Sequence, residues 1–352
     1  MRLISPLLKH VIYPGFSKSG YLRKLATEGP ATLTYHGVFP QDYAIVDERL
    51  DGNLVSAQQL RSQLQFLKKQ YEFISPEDFR NWCHGKISLP PRALLLTCDD
   101  GLCNNLTVML PVLREFDVKC IFFVTNACTE AKGAVLWHER LCLQLHYAAD
   151  PFTLHLSDLG IHADVRDERA KYDVGRQLME TLSSQSAEVR STILEEIQSQ
   201  LGLSEPWLSA DQRGGPLAGR FQTLGVSELR QLVDAGMCIG AHTVSHPNLA
   251  RMSDQLAATE IMGSREALSR TLNTEVWAFA YPFGNPSAVS VREIALAEQC
   301  GFTCAFLNVE GPGENDASLF ALPRTHVTRR MTLAEIDARI SGLHASLKQW
   351  LA

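Results

Sequence analysis

Short apolar runs alternate with segments of helical periodicity over much of the chain. Leu106, Leu110 and Leu113, for example, recur at the spacing of one helix face. Apolar runs of the kind found in buried parallel strands lie at 31–38, 73–75, 94–98, 118–124, 237–241, 276–280 and 302–306. The repeated order of strand, helix and strand predicts an α/β fold whose parallel sheet is open or barrel-like.

The alternation stops between about residues 137 and 220. This segment is polar and helical, with Ile193 and Ile197 on one face, and it lacks the short apolar strands found on either side. We therefore predict a helical insertion, either a lid or a purely structural helical pair. The predicted organisation is an N-terminal segment at 1–30, a domain at 31–335 that the insertion interrupts, and a C-terminal helix at 336–352.

Composition narrows the class of protein. The 352 residues are 45% hydrophobic and 20% charged, which suits one large domain with an insertion. A net charge of −6 provides no general attraction to nucleic acid, so nucleic acid is not an expected partner. The nine cysteines lie mostly in apolar contexts, as in proteins of a reducing compartment.

The chain contains no uninterrupted apolar stretch long enough to span a bilayer, and Pro6, Lys9 and Pro14 interrupt the opening segment. We therefore expect a cytoplasmic protein without a transmembrane segment. The opening segment is apolar with basic residues nearby, so peripheral contact with the inner membrane surface is a weaker alternative to packing on the domain.

The first candidate for chemistry is the end of the apolar run at 94–98. It stops at two adjacent carboxylates and a glycine, Asp99, Asp100 and Gly101. The carboxyl ends of parallel strands are where α/β proteins keep their active sites, and two adjacent carboxylates repel each other unless a cation lies nearby. The alternative is structural, since either aspartate could cap the helix that starts near Asn105.

The second candidate is a pair of histidines after the run at 237–241. His242 and His246 are four residues apart, so on a helical turn they would project from one face toward one divalent cation. With Asp100 as third ligand, two histidines and a carboxylate leave coordination positions open, as catalytic metal sites do. Asp99 would then take a proton from water.

A third candidate follows the run at 276–280. Tyr281, Pro282, Phe283 and Gly284 form either a rigid turn or the wall of a substrate groove. In the second interpretation the backbone N–H groups of this turn are available to a developing oxyanion. The residues alone leave both interpretations open.

Three stretches, 97–101, 242–249 and 279–284, resemble in sequence and order the first three motifs of the polysaccharide deacetylases, which are carbohydrate esterase family 4 with the NodB-homology domain. The resemblance implies a distorted (β/α) barrel and hydrolysis of an acetamido group on a carbohydrate. It implies a divalent metal on Asp100, His242 and His246, with zinc preferred over cobalt, iron, manganese or nickel, and Asp99 as catalytic base. Tyr281 and Pro282 would bind substrate, and the Tyr281 backbone N–H would help to hold the oxyanion.

The chain departs from this family in its late motifs. The family's general acid is a histidine on a late strand, in a Leu-x-His context. His326 is our preferred equivalent, with Arg324 orienting Asp99. The sequence around His344 matches this pattern more closely, but His344 belongs to an amphipathic helix, where a packing or surface role is expected. His36, at the end of the first strand, is a third candidate and is expected to line the substrate rim.

The predicted function is metal-dependent removal of N-acetyl groups from an amino sugar in a polysaccharide, a glycolipid or a sugar precursor. One alternative is hydrolysis of another non-peptide C–N bond, such as that of a cyclic amide, at the same kind of site. Another is a catalytically inactive sugar-binding protein of the same fold. The binding-protein alternative loses support if Arg324 orients Asp99.

Overall fold

The computed structural model describes residues 4–24, 29–46, 51–130, 133–203, 215–311 and 318–351. The predicted N-terminal segment, insertion and C-terminal helix each include some residues outside these ranges. The described strands are β1 Ala31–Tyr35, β2 Glu72–Phe73, β3 Ala93–Cys98, β4 Cys120–Val124, β5 Phe152–Leu156, β6 Ile161–Val165, β7 Cys238–Ala241, β8 Ala278–Ala280, β9 Cys304–Phe306 and β10 Thr325–His326.

Helices connect most of these strands. The α-helices are α1 Ile4–Leu7, α2 Tyr13–Lys18, α3 Ala57–Leu67, α4 Pro76–Cys83, α5 Leu110–Glu115, α6 Ala127–Glu130, α7 Trp137–Tyr147, α8 Glu168–Leu182, α9 Ala187–Gln200, α10 Pro216–Phe221, α11 Val226–Asp234, α12 Asp254–Leu272, α13 Val291–Gln299, α14 Leu333–Ile340 and α15 Leu343–Leu351. Short π or 3₁₀ turns occur at Leu8–Ile12, Tyr21–Lys24, Asn105–Met109, Ser157–Leu159 and Leu249–Arg251.

The main sheet is parallel and curls into an incomplete barrel. Its strand order is β10, β1, β3, β4, β7, β8 and β9, and β2 pairs with the start of β3. Every residue of β3 and of β4 is buried, which explains their continuous apolar sequence. The expectation of a distorted (β/α) barrel is confirmed, and the carboxyl ends of its strands meet at one rim.

Local sequence signals set several helix boundaries. The Ser56 hydroxyl accepts a hydrogen bond from the Gln59 backbone, and the Gln59 side chain bonds back to the Ser56 N–H, so the pair forms a capping box. Pro76 occupies the first turn of α4. Among the described residues, no helix is both long and apolar enough to cross a membrane.

The insertion contains two strands that the sequence did not predict. β5 and β6 form an antiparallel hairpin beside α7, α8 and α9. Leu154 and Leu156 are buried while their neighbours are exposed, so the hairpin alternates between apolar and polar residues. A search for continuous apolar runs misses such a half-buried strand. The insertion also has an apolar cluster of its own, which includes Leu141, Leu178 and Ile197.

The chain termini pack against each other. Tyr13 in α2 and Leu22 share a buried cluster with Ala338 and Leu343. The predicted single C-terminal helix is two helices, α14 and α15, because Gly342 adopts a left-handed φ of 79° between them.

Candidate metal centre

The two aspartates leave the end of β3 through a tight reversal. Asp100 and Gly101 have φ values of 76° and 68°, in the left-handed region. A Cβ atom at Gly101 would lie 2.8 Å from Cγ1 of Val124, so only glycine fits here without a shift. Neither aspartate caps a helix, because the following turn starts after Asn104 and has no side-chain cap. The structural alternative for the pair is therefore wrong.

Asp100 meets both histidines of the predicted triad. Its Oδ1 atom lies 3.8 Å from His242 Nε2 and 3.7 Å from His246 Nε2. All three side chains are buried, and their ligand atoms lie within 4.8 Å of one another, close enough to hold one metal ion. The 3.7–3.8 Å separations are too long for hydrogen bonds and suit three ligands that share one cation.

The histidines reach this position through a bent loop and not through the helical turn that we expected. Thr243 and His246 have left-handed φ values of 66° and 57°. The His246 N–H donates to the Thr243 hydroxyl at 3.0 Å, which closes the bend. The four-residue spacing therefore brings the two rings together, but through irregular backbone. Spacing alone cannot distinguish the two geometries.

Donor chemistry at the triad fits a divalent cation. Nδ1 of His242 lies 2.7 Å from the Ala280 carbonyl oxygen and donates to it, which leaves the Nε2 lone pair free to bind a metal. Burial lowers the pKa of both His242 and His246, so both rings are neutral at pH 7. Burial, the neighbouring Asp99 and Glu139 raise the pKa of Asp100 well above its usual range, because each disfavours the charged carboxylate.

Asp99 is held by Arg324, as predicted from the resemblance. Two bonds of 2.7 Å join Nη1 and Nη2 of the guanidinium to the two carboxylate oxygens. Thr34 and Thr97 hydroxyls also lie 3.2 Å from Arg324 Nη1. Burial would raise the pKa of Asp99, but Arg324 and His242 outweigh it and lower the pKa to about 2. Asp99 is therefore an oriented carboxylate at neutral pH.

The two candidate acids lie side by side on the strand rim. The rings of His36 and His326 contact each other at a tilt of 52°, with centroids 4.5 Å apart. Both line a cavity of about 440 Å³ together with Asp99, Asp100, His242 and His246. Nδ1 of His36 and Nε2 of His326 are buried without a hydrogen-bond partner. Burial lowers the pKa of His326 to about 4 and that of His36 well below its usual range. Each ring therefore has an unpaired nitrogen near the cavity.

His344 lies elsewhere. Its ring contacts Tyr13, with centroids 5.9 Å apart, and its Nε2 lies 3.5 Å from Glu310. It joins the packed chain termini and is not among the residues that line the cavity. The expected packing role is consistent with this position.

The turn after β8 differs from our expectation in one respect. Tyr281 lines the cavity, but its backbone N–H donates to the Phe306 carbonyl at 3.1 Å, within the sheet. The expectation that this N–H helps to hold an oxyanion is therefore wrong for this structure. The Tyr281 hydroxyl donates to the Phe320 carbonyl at 2.9 Å, and Pro282 is buried beside it without lining the cavity.

His138, at the start of the insertion, was not predicted as a site residue from the sequence. Its ring lies 4.5 Å from that of His246, it lines the cavity, and its Nδ1 has no hydrogen-bond partner. Burial, with nearby His242, lowers the pKa of His138 to about 3. The signal available in the sequence was a histidine next to a tryptophan and a glutamate, which is too common to indicate a site by itself.

The insertion also holds the loop that bears His246. The Trp137 indole N–H donates to the His246 carbonyl at 2.9 Å. Arg190 of α9 donates to the Ser245 carbonyl at 2.8 Å, and the Asn248 N–H donates to the Ser183 carbonyl at 2.8 Å. These bonds make the insertion part of the support of His246 and not only a cover over it.

Known proteins resemble this chain in both sequence and fold. Residues 210–305 match the family model described as polysaccharide deacetylase, and this range includes the second and third motifs. The Bacillus subtilis protein YxkH, a polysaccharide deacetylase by name, is 21% identical over 129 residues, which are 37% of this chain and 45% of YxkH. The chain therefore spans less than half of this curated relative, and the resemblance to the family is confirmed.

Solved structures extend the likeness to most of the fold. The Streptococcus pyogenes deacetylase PplD, solved with acetate, is 18% identical with a TM-score of 0.56, covering 89% of this chain and 99% of PplD. IcaB from Ammonifex degensii is 17% identical with a TM-score of 0.54, covering 88% of this chain and 96% of IcaB. A de-N-acetylase from Aggregatibacter actinomycetemcomitans is 14% identical with a TM-score of 0.55, covering 88% of this chain and 99% of the de-N-acetylase. At these identities the likeness shows the fold alone.

Proposed function

Starting from the confirmed resemblance to the polysaccharide deacetylases, we propose that this protein is a metal-dependent hydrolase that removes N-acetyl groups from an amino sugar. The sugar would belong to a polysaccharide, a glycolipid or a sugar precursor. The observation that carries the proposal is the pairing of a buried Asp100, His242 and His246 triad with an adjacent carboxylate that Arg324 orients. This combination provides both a cation site and a fixed base in one cavity.

Asp100, His242 and His246 would hold the cation, with Nε2 of each histidine and Oδ1 of Asp100 as ligand atoms. A bound divalent cation polarises the amide carbonyl and lowers the pKa of water. Asp99 takes the proton of the attacking water, and Arg324 keeps both of its carboxylate oxygens in place. The amide C–N bond then breaks, which yields acetate and a free amine.

The leaving nitrogen needs a proton, and we assign its delivery to His326. Because its pKa of about 4 leaves the ring neutral at pH 7, His326 would pass on to that nitrogen the proton that Asp99 takes from water, through an Nε2 atom that is buried without a partner in the cavity. His36 packs against this ring and would line the substrate rim. We assign Tyr281 to the substrate wall through its side chain, and Pro282 to support of that wall.

Metal identity, location and domain limits are parts of the same proposal. Two imidazoles and one carboxylate suit zinc, with cobalt, iron, manganese and nickel as alternatives. The cysteines form no disulfide in the structure, which supports a cytoplasmic location. We also propose that the insertion at about 137–220 belongs functionally to the barrel domain, because its bonds reach the His246 loop.

The catalytic proposal is favoured over a sugar-binding protein by the Asp99 environment. A binding protein has no need for a buried base clamped by a bidentate arginine, and burying such a pair costs free energy. Arg324 makes that contact with both of its terminal nitrogens. Hydrolysis of another C–N bond would use the same residues, so substrates must distinguish the two reactions.

The test is acetate release from a panel of N-acetylglucosamine compounds, including a polymer, a glycolipid and a nucleotide-linked sugar. Wild-type protein should release acetate from at least one of them, and Asp99→Asn should keep the metal while its kcat falls by about 10²-fold or more. Turnover of a cyclic amide without acetate release from any sugar would contradict the proposal. So would equal activity in wild type and Asp99→Asn.

A further inference from the structure

A second cavity, which we call the side cavity, lies between the insertion and the rim of the barrel. Its volume is about 480 Å³. It shares Cys142, Met179, Phe283 and Asn285 with the cavity of the metal centre, so the two cavities adjoin along a common wall. A substituent of a molecule whose acetamido group lies at the triad would therefore be close to the side cavity.

Much of the side cavity wall is apolar. Leu145 of α7, Tyr172 and Met179 of α8, and Phe283 of the barrel rim contribute carbon-rich side chains. Gly175 lies between Tyr172 and Met179 on α8 and also lines the side cavity, where an added Cβ atom would lie 3.0 Å from Cδ1 of Leu145. The Phe283 ring also packs 5.2 Å from the ring of His246, so it separates the side cavity from a metal ligand.

The basic residues at the side cavity have acidic residues close by that balance their charge. Lys171 lies 2.9 Å from Asp150, and Arg251 lies 2.5 Å from Glu180. Arg176 is placed one helical turn before Glu180 on α8. Because positive charge is balanced locally, the side cavity has no strong preference for an anion such as a phosphate. Its apolar walls favour an apolar ligand.

We propose that the side cavity binds an apolar substituent of the amino-sugar substrate, such as an alkyl aglycone, while the acetamido group lies at the metal centre. The position of the sugar rests on the proposed deacetylase function. Each methylene that moves from water into such a wall raises affinity by about fourfold. Among the substrate classes named above, this inference selects the glycolipid.

The test uses two glycosides that differ only in the aglycone, methyl and octyl 2-acetamido-2-deoxy-β-glucopyranoside, with the octyl compound below its micelle concentration. Gly175→Leu fills the side cavity. Its Cβ would lie 3.0 Å from Cδ1 of Leu145, the end of a flexible side chain that can move. Gln177→Leu is the matched control, because Gln177 is exposed on the same helix and lines a different hollow. Thermal unfolding checks that each variant folds.

Wild type should show a kcat/KM at least about tenfold higher for the octyl than for the methyl compound. Gly175→Leu should bring that ratio close to one, and Gln177→Leu should leave it unchanged. Equal kcat/KM values for the two compounds in wild type would overturn the inference and leave the deacetylase function intact. If wild type has a higher kcat/KM for tri-N-acetylchitotriose than for the methyl compound, and Gly175→Leu removes that difference, the side cavity binds sugar. That result also overturns the inference.

If neither glycoside releases acetate, that result counts against the proposed function only. Binding of the two glycosides, measured by calorimetry, then tests the inference. Tighter binding of the octyl compound to wild type, lost in Gly175→Leu and kept in Gln177→Leu, supports the side cavity as the apolar site. Equal binding of both compounds, or no binding of either, overturns it. A Gly175→Ala variant provides a milder filling if Gly175→Leu does not fold.

Discussion

In addition to Thr243, three residues that belong to the candidate metal centre or pack on one of its histidine rings occupy strained backbone conformations. Asp100, His246 and Phe283 have φ values of 76°, 57° and 61°, although none of them is glycine. Such conformations cost about 1–3 kcal/mol each and persist where the surroundings enforce them. Two of the three are proposed ligands and the third packs on a ligand ring, so the strain is concentrated where the side-chain positions matter.

His326 and His36, the two histidines at the rim, are predicted to have different roles in the reaction. His326→Gln should lower kcat by about 10²-fold with little loss of bound metal, because it removes the proposed proton donor. His36→Gln should raise KM more than it lowers kcat, because it removes only rim contact. Steady-state acetate release and metal content check both variants. A large fall in kcat for His36→Gln alone would assign the acid role to His36.

The helices of the insertion donate hydrogen bonds to the loop that bears His246 in the candidate metal centre. α7 donates to the His246 carbonyl through Trp137, and α9 donates to the Ser245 carbonyl through Arg190. Glu260 of α12 accepts from the Ser245 N–H at 2.8 Å on the other side of the loop. The loop that bears His246 is therefore fixed from two directions, and one of them is the insertion.

Loosening this support should weaken metal binding. Trp137→Phe and Arg190→Met each remove bonds to the loop, and loss of such supporting contacts typically lowers metal affinity by about 10–100-fold. Ser191→Ala is the control, because Ser191 is exposed on α9 and bonds only within its own helix to Glu195. Competition with a chelator measures zinc affinity. Unchanged affinity in both loop variants would show that the insertion does not position His246.

Sequence patterns predicted the parallel elements and the triad because both depend on short-range rules. Buried parallel strands have continuous apolar runs, and their carboxyl ends share one rim, so Asp100, His242 and His246 were expected together. The hairpin β5–β6, the bent histidine loop and His138 depend on contacts made only in the folded chain. The engagement of the Tyr281 N–H in the sheet likewise depends on the partner strand, which no local pattern reveals.

For the whole molecule, a buried ion network joins three distant parts of the chain. Arg220 of α10 lies 2.8 Å from Asp51 and 3.0 Å from Glu139 of α7. Tyr43 also donates to Asp51 at 2.8 Å. Burial lowers the pKa of Arg220, but Glu139 and Asp51 outweigh this effect and the pKa is raised, so Arg220 stays charged. The network ties the segment after β1 to the insertion beside the cavity.

Arg220→Met should leave two buried carboxylates without their cationic partner and lower the free energy of unfolding by about 3–5 kcal/mol. Urea unfolding followed by circular dichroism measures the change. Arg61→Met is the control, because its pair with Glu115 is exposed, and it should change stability little. A similar small change in both variants would show that the buried network does not stabilise the fold.

The most direct test of the account is a titration of metal-free protein with zinc while acetate release is recorded. The proposed function predicts no acetate release without metal, then a linear rise in release that stops at one ion per chain. It also predicts that Asp100→Ala does not bind zinc at that stoichiometry. Acetate release by thoroughly metal-free protein, or a protein whose Asp100, His242 and His246 bind no metal at all, would contradict it.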